Sequence, residues 1–295
     1  MREVVVVGAG PAGVSSAIYL KRHGVDVELI EKDEVGGLAL NAHCIEDYPG
    51  LLAGKSGREF GADLEGQLAR QGVAVTSDEV PHITKDQNGF ALHGLRKRYE
   101  SKCVILATGT SPKRVDARLV GDLSDRLSYE VKGVPEGYGS VVVIGAGEAA
   151  LDYALSLERL GYDVAVLCRS GEPRSNRDLL EKVQLSNRVR ILNNVCIDEI
   201  VAGEDHLMVT CRDRESIDCA FAVCAIGREA NLPSIGAGTI KRLEVRADGR
   251  TNVLGLFVAG DARRGRERHI ATAVGDGVQA AVMAAECLEG LRCSK

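Results

Sequence analysis

An α/β fold of two parallel-sheet units is predicted by three observations: an internal repeat, a glycine turn inside each copy, and a length that suits about two domains. Residues 4–34, VVVVGAGPAGVSSAIYLKRHGVDVELIEKDE, align without a gap on residues 141–171, VVVIGAGEAALDYALSLERLGYDVAVLCRSG. Gly8, Gly10, Gly24, Asp26 and Val27 fall on Gly145, Gly147, Gly161, Asp163 and Val164.

Each copy opens with an apolar run that reads as a strand, Val4 to Val7 and Val141 to Ile144. The turn follows. Gly8 permits a tight bend, Gly10 lets the backbone approach a pyrophosphate, and Gly13 allows close packing of helix on strand. The helix that opens at Pro11 and Ala12 directs its free N–H groups and positive dipole end at the phosphate. In the second copy Gly145 and Gly147 take the first two places, Glu148 and Ala149 follow, and Ala150 stands third, which this motif accepts. A helical segment, a glycine stop (Gly24, Gly161) and a second strand complete each βαβ unit. The prediction is therefore two Rossmann-like dinucleotide-binding domains, each a parallel sheet with helices on both faces.

The end of the second strand reads the adenosine ribose. There the first copy has Glu31, whose carboxylate can accept from both ribose hydroxyls and would repel a 2′-phosphate, so FAD or NAD fits and NADP does not. The second copy has Cys168, followed by Arg169, Ser170, Arg174 and Arg177. Loss of the acid and gain of guanidinium groups suit a 2′-phosphate, which favours NADPH there, with NADH as the alternative.

Composition narrows the functional classes. Apolar residues make up 45%, charged residues 27%, and the net charge is −5, none of which points to nucleic acid or a membrane surface. The first apolar run is too short for a signal-peptide core and no later run has transmembrane length, so a cytoplasmic location is expected. The nine cysteines are odd in number and none has C-x-x-C spacing, which argues against a secreted disulfide scaffold or a zinc site.

Beyond the two turns, the chain resembles the low-molecular-weight thioredoxin reductase group of pyridine-nucleotide flavoproteins from residue 4 to about residue 285. Gly36-Gly37 followed by Ile45-Glu46-Asp47-Tyr48-Pro49-Gly50 resembles the family's segment beside the flavin. Ala107-Thr108-Gly109 and Ala225-Ile226-Gly227 resemble its two crossings between domains, and Leu256-Phe257-Val258-Ala259-Gly260-Asp261 its second FAD fingerprint. The resemblance implies an FAD domain in two pieces, 1–112 and 229–295, with an NAD(P) domain inserted at 113–228. It implies FAD contacts at Glu31, Lys32, Gly37, Leu38, Asp47, Val80, Thr108, Gly109, Gly260, Asp261 and the helix start His269-Ile270-Ala271, besides the first glycine turn. Nicotinamide-nucleotide contacts are implied at the second turn, at Arg169, Ser170 and Arg174, and at Ile226 and Gly227. Hinges near Ser111-Pro112 and Gly227-Arg228 and a homodimer are further implications.

One departure matters. Thioredoxin reductases carry a C-x-x-C dithiol just before the second glycine strand, but here no cysteine stands between Cys103 and Cys168, and Glu130 follows Ser128-Tyr129 where the first thiol is expected. Without two thiols, electrons cannot pass to thioredoxin by the usual exchange. The expectation is an FAD-dependent enzyme that takes hydride from NADPH and passes it to an acceptor that the sequence does not name. A small redox protein is one candidate, as in the dithiol-free ferredoxin–NADP reductases. A single-cysteine disulfide or peroxide reductase using Cys44 is a second possibility, and a non-catalytic flavoprotein module a third. The run Arg263, Arg264, Arg266 and Arg268 is a candidate attractor for an anionic partner.

Overall fold

The computed structural model describes residues 1–51, 54–212, 214–236 and 243–293. In chain order its first stretch holds β1 (Arg2–Val7), α1 (Pro11–Arg22), β2 (Val27–Glu31), α2 (Gly57–Arg70), β3 (Val75–Ser77), β4 (His82–Lys85), β5 (Phe90–His93), β6 (Arg98–Leu106) and β7 (Thr110–Pro112). The middle holds β8 (Arg118–Val120), β9 (Leu127–Ser128), β10 (Ser140–Ile144), α3 (Glu148–Arg159), β11 (Asp163–Leu167), α4 (Arg177–Leu185) and β12 (Val189–Leu192). After these come β13 (Ile197–Ala202), β14 (Leu207–Cys211), β15 (Ile217–Cys219) and β16 (Phe221–Cys224). The chain closes with β17 (Arg228–Ala230), β18 (Ser234–Gly236), β19 (Leu256–Val258) and α5 (Ile270–Cys293).

Two compact units result. The first comprises Met1–Leu40, Ile45–Ser111 and Glu229–Lys295; the second comprises Asn41–Cys44 and Pro112–Arg228. The tetrapeptide Asn41–Cys44 belongs with the second because Asn41 Oδ1 accepts from the Val131 and Lys132 amides at 2.9 and 2.8 Å, and His43 N donates to Asp152 at 2.9 Å.

In the first unit the sheet runs β18-β4-β5-β6-β1-β2-β3, with β19 also on β6. Its centre is parallel: Val4 pairs with Val27 on one side and Cys103 on the other, and Val7 with Ile30 and Leu106. Val4, Val5 and Val6 have no exposed surface, as a central strand covered on both faces requires. The β4–β5–β6 edge is antiparallel, which the repeat gave no sign of. Helices α1 and α5 pack closely because both are small-faced: a Cβ on Gly277 would lie 2.1 Å from Ala12 O, and Ser16 Oγ donates to Gly277 O at 2.9 Å.

The second unit has a parallel sheet, β12-β11-β10-β16-β9, and an additional sheet, β15-β14-β13-β8. Val141, Val143, Val164 and Val166 share one core with Leu151, Ala154 and Leu157 of α3. The strand registers repeat across units: Val7 opposite Ile30 becomes Ile144 opposite Leu167. The chain crossings, β7 and β17, pair with each other as a two-stranded ribbon. Among the described residues no helix is long and apolar enough to cross a membrane.

Candidate functional site: two glycine turns

The first turn is shaped by contacts that exclude side chains. Gly8 has φ +101°, and a Cβ there would meet Ala107 O at 2.3 Å; a Cβ on Gly13 would lie 1.7 Å from Gly8 O. Gly10 differs: no atom lies within 4 Å of where its Cβ would be, apart from its own neighbours. The first and third glycines thus serve the fold, while the second leaves open space at the head of a helix. Gly10 also caps α1 with no side-chain acceptor, and the first turn of that helix carries no acid. By contrast α2 is closed by a Ser56/Glu59 capping box and α4 by Asn176. Uncapped N–H groups beside an open glycine fit a pyrophosphate.

Around this opening the first unit gathers remote segments. Gly37 sits so that its Cβ would be 3.3 Å from Gly10 Cα, with Leu38 next in the same short helical turn, Gly37–Asn41. Gly260 would meet Ala12 Cβ at 2.9 Å, and it places Asp261 in the turn Gly260–Ala262. Thr108 Oγ1 donates to Asn231 O, and Gly109 O accepts from Asn231 N at 3.0 Å. Asp47 and His269 pair at 3.1 Å, just before Ile270 and Ala271 open α5. Val80 is buried in the core beside Val7 and Ile30, and Lys32 is held at 3.3 Å by Glu79.

Glu31 closes β2 with its carboxylate turned back over the turn: Oε2 accepts from Ala9 N at 2.5 Å and Oε1 from Asp33 N at 2.9 Å. Each oxygen keeps a further lone-pair site, which suits paired ribose hydroxyls.

Within the run expected to attract an anionic partner, two of the four arginines are tied up inside the first unit. Arg263 and Arg264 both grip Asp276 on α5; Arg263 Nε lies 2.7 Å and Arg264 Nη2 2.6 Å from its carboxylate. The Asp276 side chain is 3% exposed. Burial alone would raise its carboxyl, but the hydrogen bonds from Arg263 and Arg264 hold it below the usual carboxylate range. These two guanidiniums are structural, and Arg268 Nε is turned onto Arg264 O at 3.1 Å. Sequence reasoning missed Asp276; the signal was the one charged residue inside the stretch Ala273 to Ala285.

The second turn repeats the first with changed chemistry. Gly145 has φ +115° and its Cβ would lie 2.4 Å from Ala225 O, whereas Gly147 is open apart from Arg174 O at 4.0 Å. Ala150, in place of the third glycine, is fully buried. Gly147 caps α3 without a side-chain acceptor; Glu148 and Ala149 open that helix, exposed. Arg174 N donates to Ala146 O at 2.8 Å, bringing the 170–176 loop against the turn, and Glu148 Oε1 accepts from Asn176 N at 3.2 Å. Cys168 is buried, and its Sγ lies 3.4 Å from Ser170 Oγ. Arg169 and Arg174 are exposed and have no carboxylate partner among the described residues, while Arg177 is paired with Glu181 at 2.7 Å. Ser175 Oγ is buried with no hydrogen-bond partner among the described residues. Gly227 closes this unit with φ +108°, accepting from Lys113 N at 3.0 Å, with Ile226 packed behind it.

Glu130 is held on three sides within the second unit. Arg228 Nη2 donates to it at 3.2 Å, Asn41 Nδ2 at 3.3 Å, and Lys132 Nζ lies 3.7 Å away. Cys44, half-buried, ends the neighbouring tetrapeptide.

A family model for pyridine nucleotide-disulphide oxidoreductases matches residues 2–277. The chain is 30% identical to a thioredoxin reductase of Treponema pallidum over 98% of both chains. It is also 30% identical to one of Mycoplasma genitalium over 94% of this chain and 92% of that one. Among solved structures, the thioredoxin reductase of T. acidophilum superposes with TM-score 0.83 at 27% identity, covering 97% of this chain and 98% of that one. That of Lactococcus lactis gives TM-score 0.86 at 23% identity, over 98% and 100%.

Proposed function

The chain belongs to the pyridine nucleotide-disulphide oxidoreductase family and is an FAD-dependent oxidoreductase, and from that premise we propose that it oxidises NADPH and reduces an acceptor other than thioredoxin. The observation that carries this reading is Glu130. By the resemblance it stands where the thioredoxin reductase group has its first redox thiol; no cysteine lies between Cys103 and Cys168, and Arg228, Asn41 and Lys132 hold the carboxylate in place. A carboxylate can orient or repel a ligand, but it cannot carry an electron pair as a thiolate does.

FAD, when bound, supplies two-electron transfer between a reduced nicotinamide and an acceptor. The first unit holds it through the open Gly10, the uncapped start of α1, and Glu31 on the ribose, with Asp47, Asp261 and the start of α5 further along the molecule. The second unit binds the nicotinamide nucleotide over Gly147, with Arg169 and Arg174, which have no carboxylate partner among the described residues, to take a 2′-phosphate.

The test is anaerobic reduction of the purified yellow protein by NADPH and by NADH, followed by an acceptor screen. NADPH is expected to bleach the flavin faster than NADH, and Cys44→Ser is expected to bleach equally well. Failure of either nucleotide to reduce the flavin would favour a non-catalytic module.

A further inference from the structure

Between β11 and α4 the chain crosses the second unit as residues 168–176, and this loop is tied at both ends. At one end Asn194 N donates to Ser170 O at 3.2 Å. Asn194 is the one non-glycine residue with a positive φ among those described, at +59°. At the other end Arg174 N donates to Ala146 O at 2.8 Å, and Gly147 and Arg174 pair as a parallel bridge. Arg169 stands next to the first tie and Arg174 forms the second. The ties therefore fix where both guanidinium side chains leave the main chain.

Both of these ties join main chain to main chain. A further one is made by a side chain. Glu148, the first residue of α3, reaches to the start of α4: its Oε1 accepts from Asn176 N at 3.2 Å and from Asn176 Nδ2 at 3.4 Å. Asn176 is committed on its other side, since its Oδ1 accepts from Leu179 N at 2.9 Å and caps α4. One carboxylate oxygen thus joins the opening of α3 to the cap of α4, two residues after Arg174. An acid at this place stabilises the free helix start through its dipole, but it repels a phosphate seated there. Attraction for a nucleotide does not account for Glu148; its hold on Asn176 does.

We propose that Glu148 is a positioning residue for nucleotide choice: through Asn176 it keeps the 170–176 loop against the second glycine turn, where Arg174 meets a 2′-phosphate. This role rests on the reading that NADPH binds at this turn. Glu148 makes no contact with the 2′-phosphate, so its loss weakens NADP+ selectively by loosening the loop that carries Arg174. A purely electrostatic or structural role would shift NADP+ and NAD+ together.

The test uses the oxidised, FAD-loaded protein and two readouts other than turnover. Calorimetry gives Kd for NADP+ and for NAD+, and hydrogen–deuterium exchange follows the amides of residues 170–178. Glu148→Ala should raise the ratio of the NADP+ Kd to the NAD+ Kd about fivefold, and speed exchange at Asn176 by a similar factor, as loss of an exposed charge-assisted hydrogen-bond pair predicts. Glu148→Gln keeps an acceptor oxygen at the same reach without the charge, so ratio and exchange should stay within about twofold of the unmutated values. Glu148→Asp keeps the charge on a shorter side chain and should behave like Glu148→Ala. Glu148 is exposed, so these changes leave the core intact. If Glu148→Ala shifts both Kd values equally, or speeds exchange without moving the ratio, the proposal is overturned. The same holds if Glu148→Gln moves the ratio as far as Glu148→Ala. Unmutated protein that binds NADP+ no more tightly than NAD+ would overturn the NADPH reading and this role with it. Preference present in the unmutated protein and kept in Glu148→Ala would overturn this role alone.

Discussion

The two glycine turns begin alike and then part. In both, the first glycine adopts a positive φ with its Cβ position blocked by a backbone oxygen, and the second opens on free space before an uncapped helix. In the first unit the third position has no room, since a Cβ on Gly13 would stand 1.7 Å from Gly8 O; the second unit buries Ala150 there. At the strand end, Glu31 accepts two main-chain N–H groups, whereas Cys168 offers a buried sulfur, followed in the chain by Arg169 and Arg174, which have no carboxylate partner among the described residues. The shared part is what any dinucleotide pyrophosphate needs; in the proposed reading the differing part selects which dinucleotide binds.

The largest expected effect tests the ionic clamp of the first unit. Asp276→Asn leaves Arg263 and Arg264 buried against a neutral group and should cost about 3–5 kcal/mol of stability, read by denaturant unfolding. Because the folded-state carboxyl is held below its unfolded value of about 4, its contribution is present above that pH and is lost as pH falls through the lowered folded value. The wild type should therefore lose stability in acid below about pH 4, and the variant should lack that part of the slope. Glu130→Gln in the second unit, where the ionic group is half-buried, should cost only about 1 kcal/mol.

Next comes the third glycine. Gly13→Ala should destabilise by about 3 kcal/mol and strip flavin from the protein, whereas Ala150→Gly should cost about 1 kcal/mol, the helix penalty of glycine. Equal effects would break the comparison. Glu31→Gln should weaken FAD binding by roughly 10- to 100-fold while leaving the nucleotide KM unchanged, as loss of charged hydrogen bonds predicts. Smallest is the double change Arg169→Ala and Arg174→Ala: the KM for NADPH should rise roughly tenfold with kcat and the KM for NADH little altered, since only the 2′-phosphate contact is removed.

Much of this was legible in the sequence. The repeat located β1, α1 and β2 against β10, α3 and β11 to within a residue, because a glycine turn between an apolar run and a helix is a local feature. Glu31 and Cys168 fell at equivalent strand ends, as the matching registers require. The rest is non-local. Asp276 meets Arg263 and Arg264 only once α5 folds back along its own leading turn, so the arginines read as a free basic run. Glu130 finds Arg228 and Asn41 from distant parts of the chain. No periodicity marks such pairs; they follow from strand order, which local pattern does not encode.

The central claim is that electrons reach the flavin but do not leave through a dithiol to thioredoxin. The most direct measurement mixes anaerobic, NADPH-reduced protein with oxidised thioredoxin and follows the visible flavin absorbance. The account predicts that the flavin bleaches with NADPH and stays bleached after thioredoxin is added. Rapid return of the yellow colour, with stoichiometric appearance of thioredoxin thiols, would contradict it.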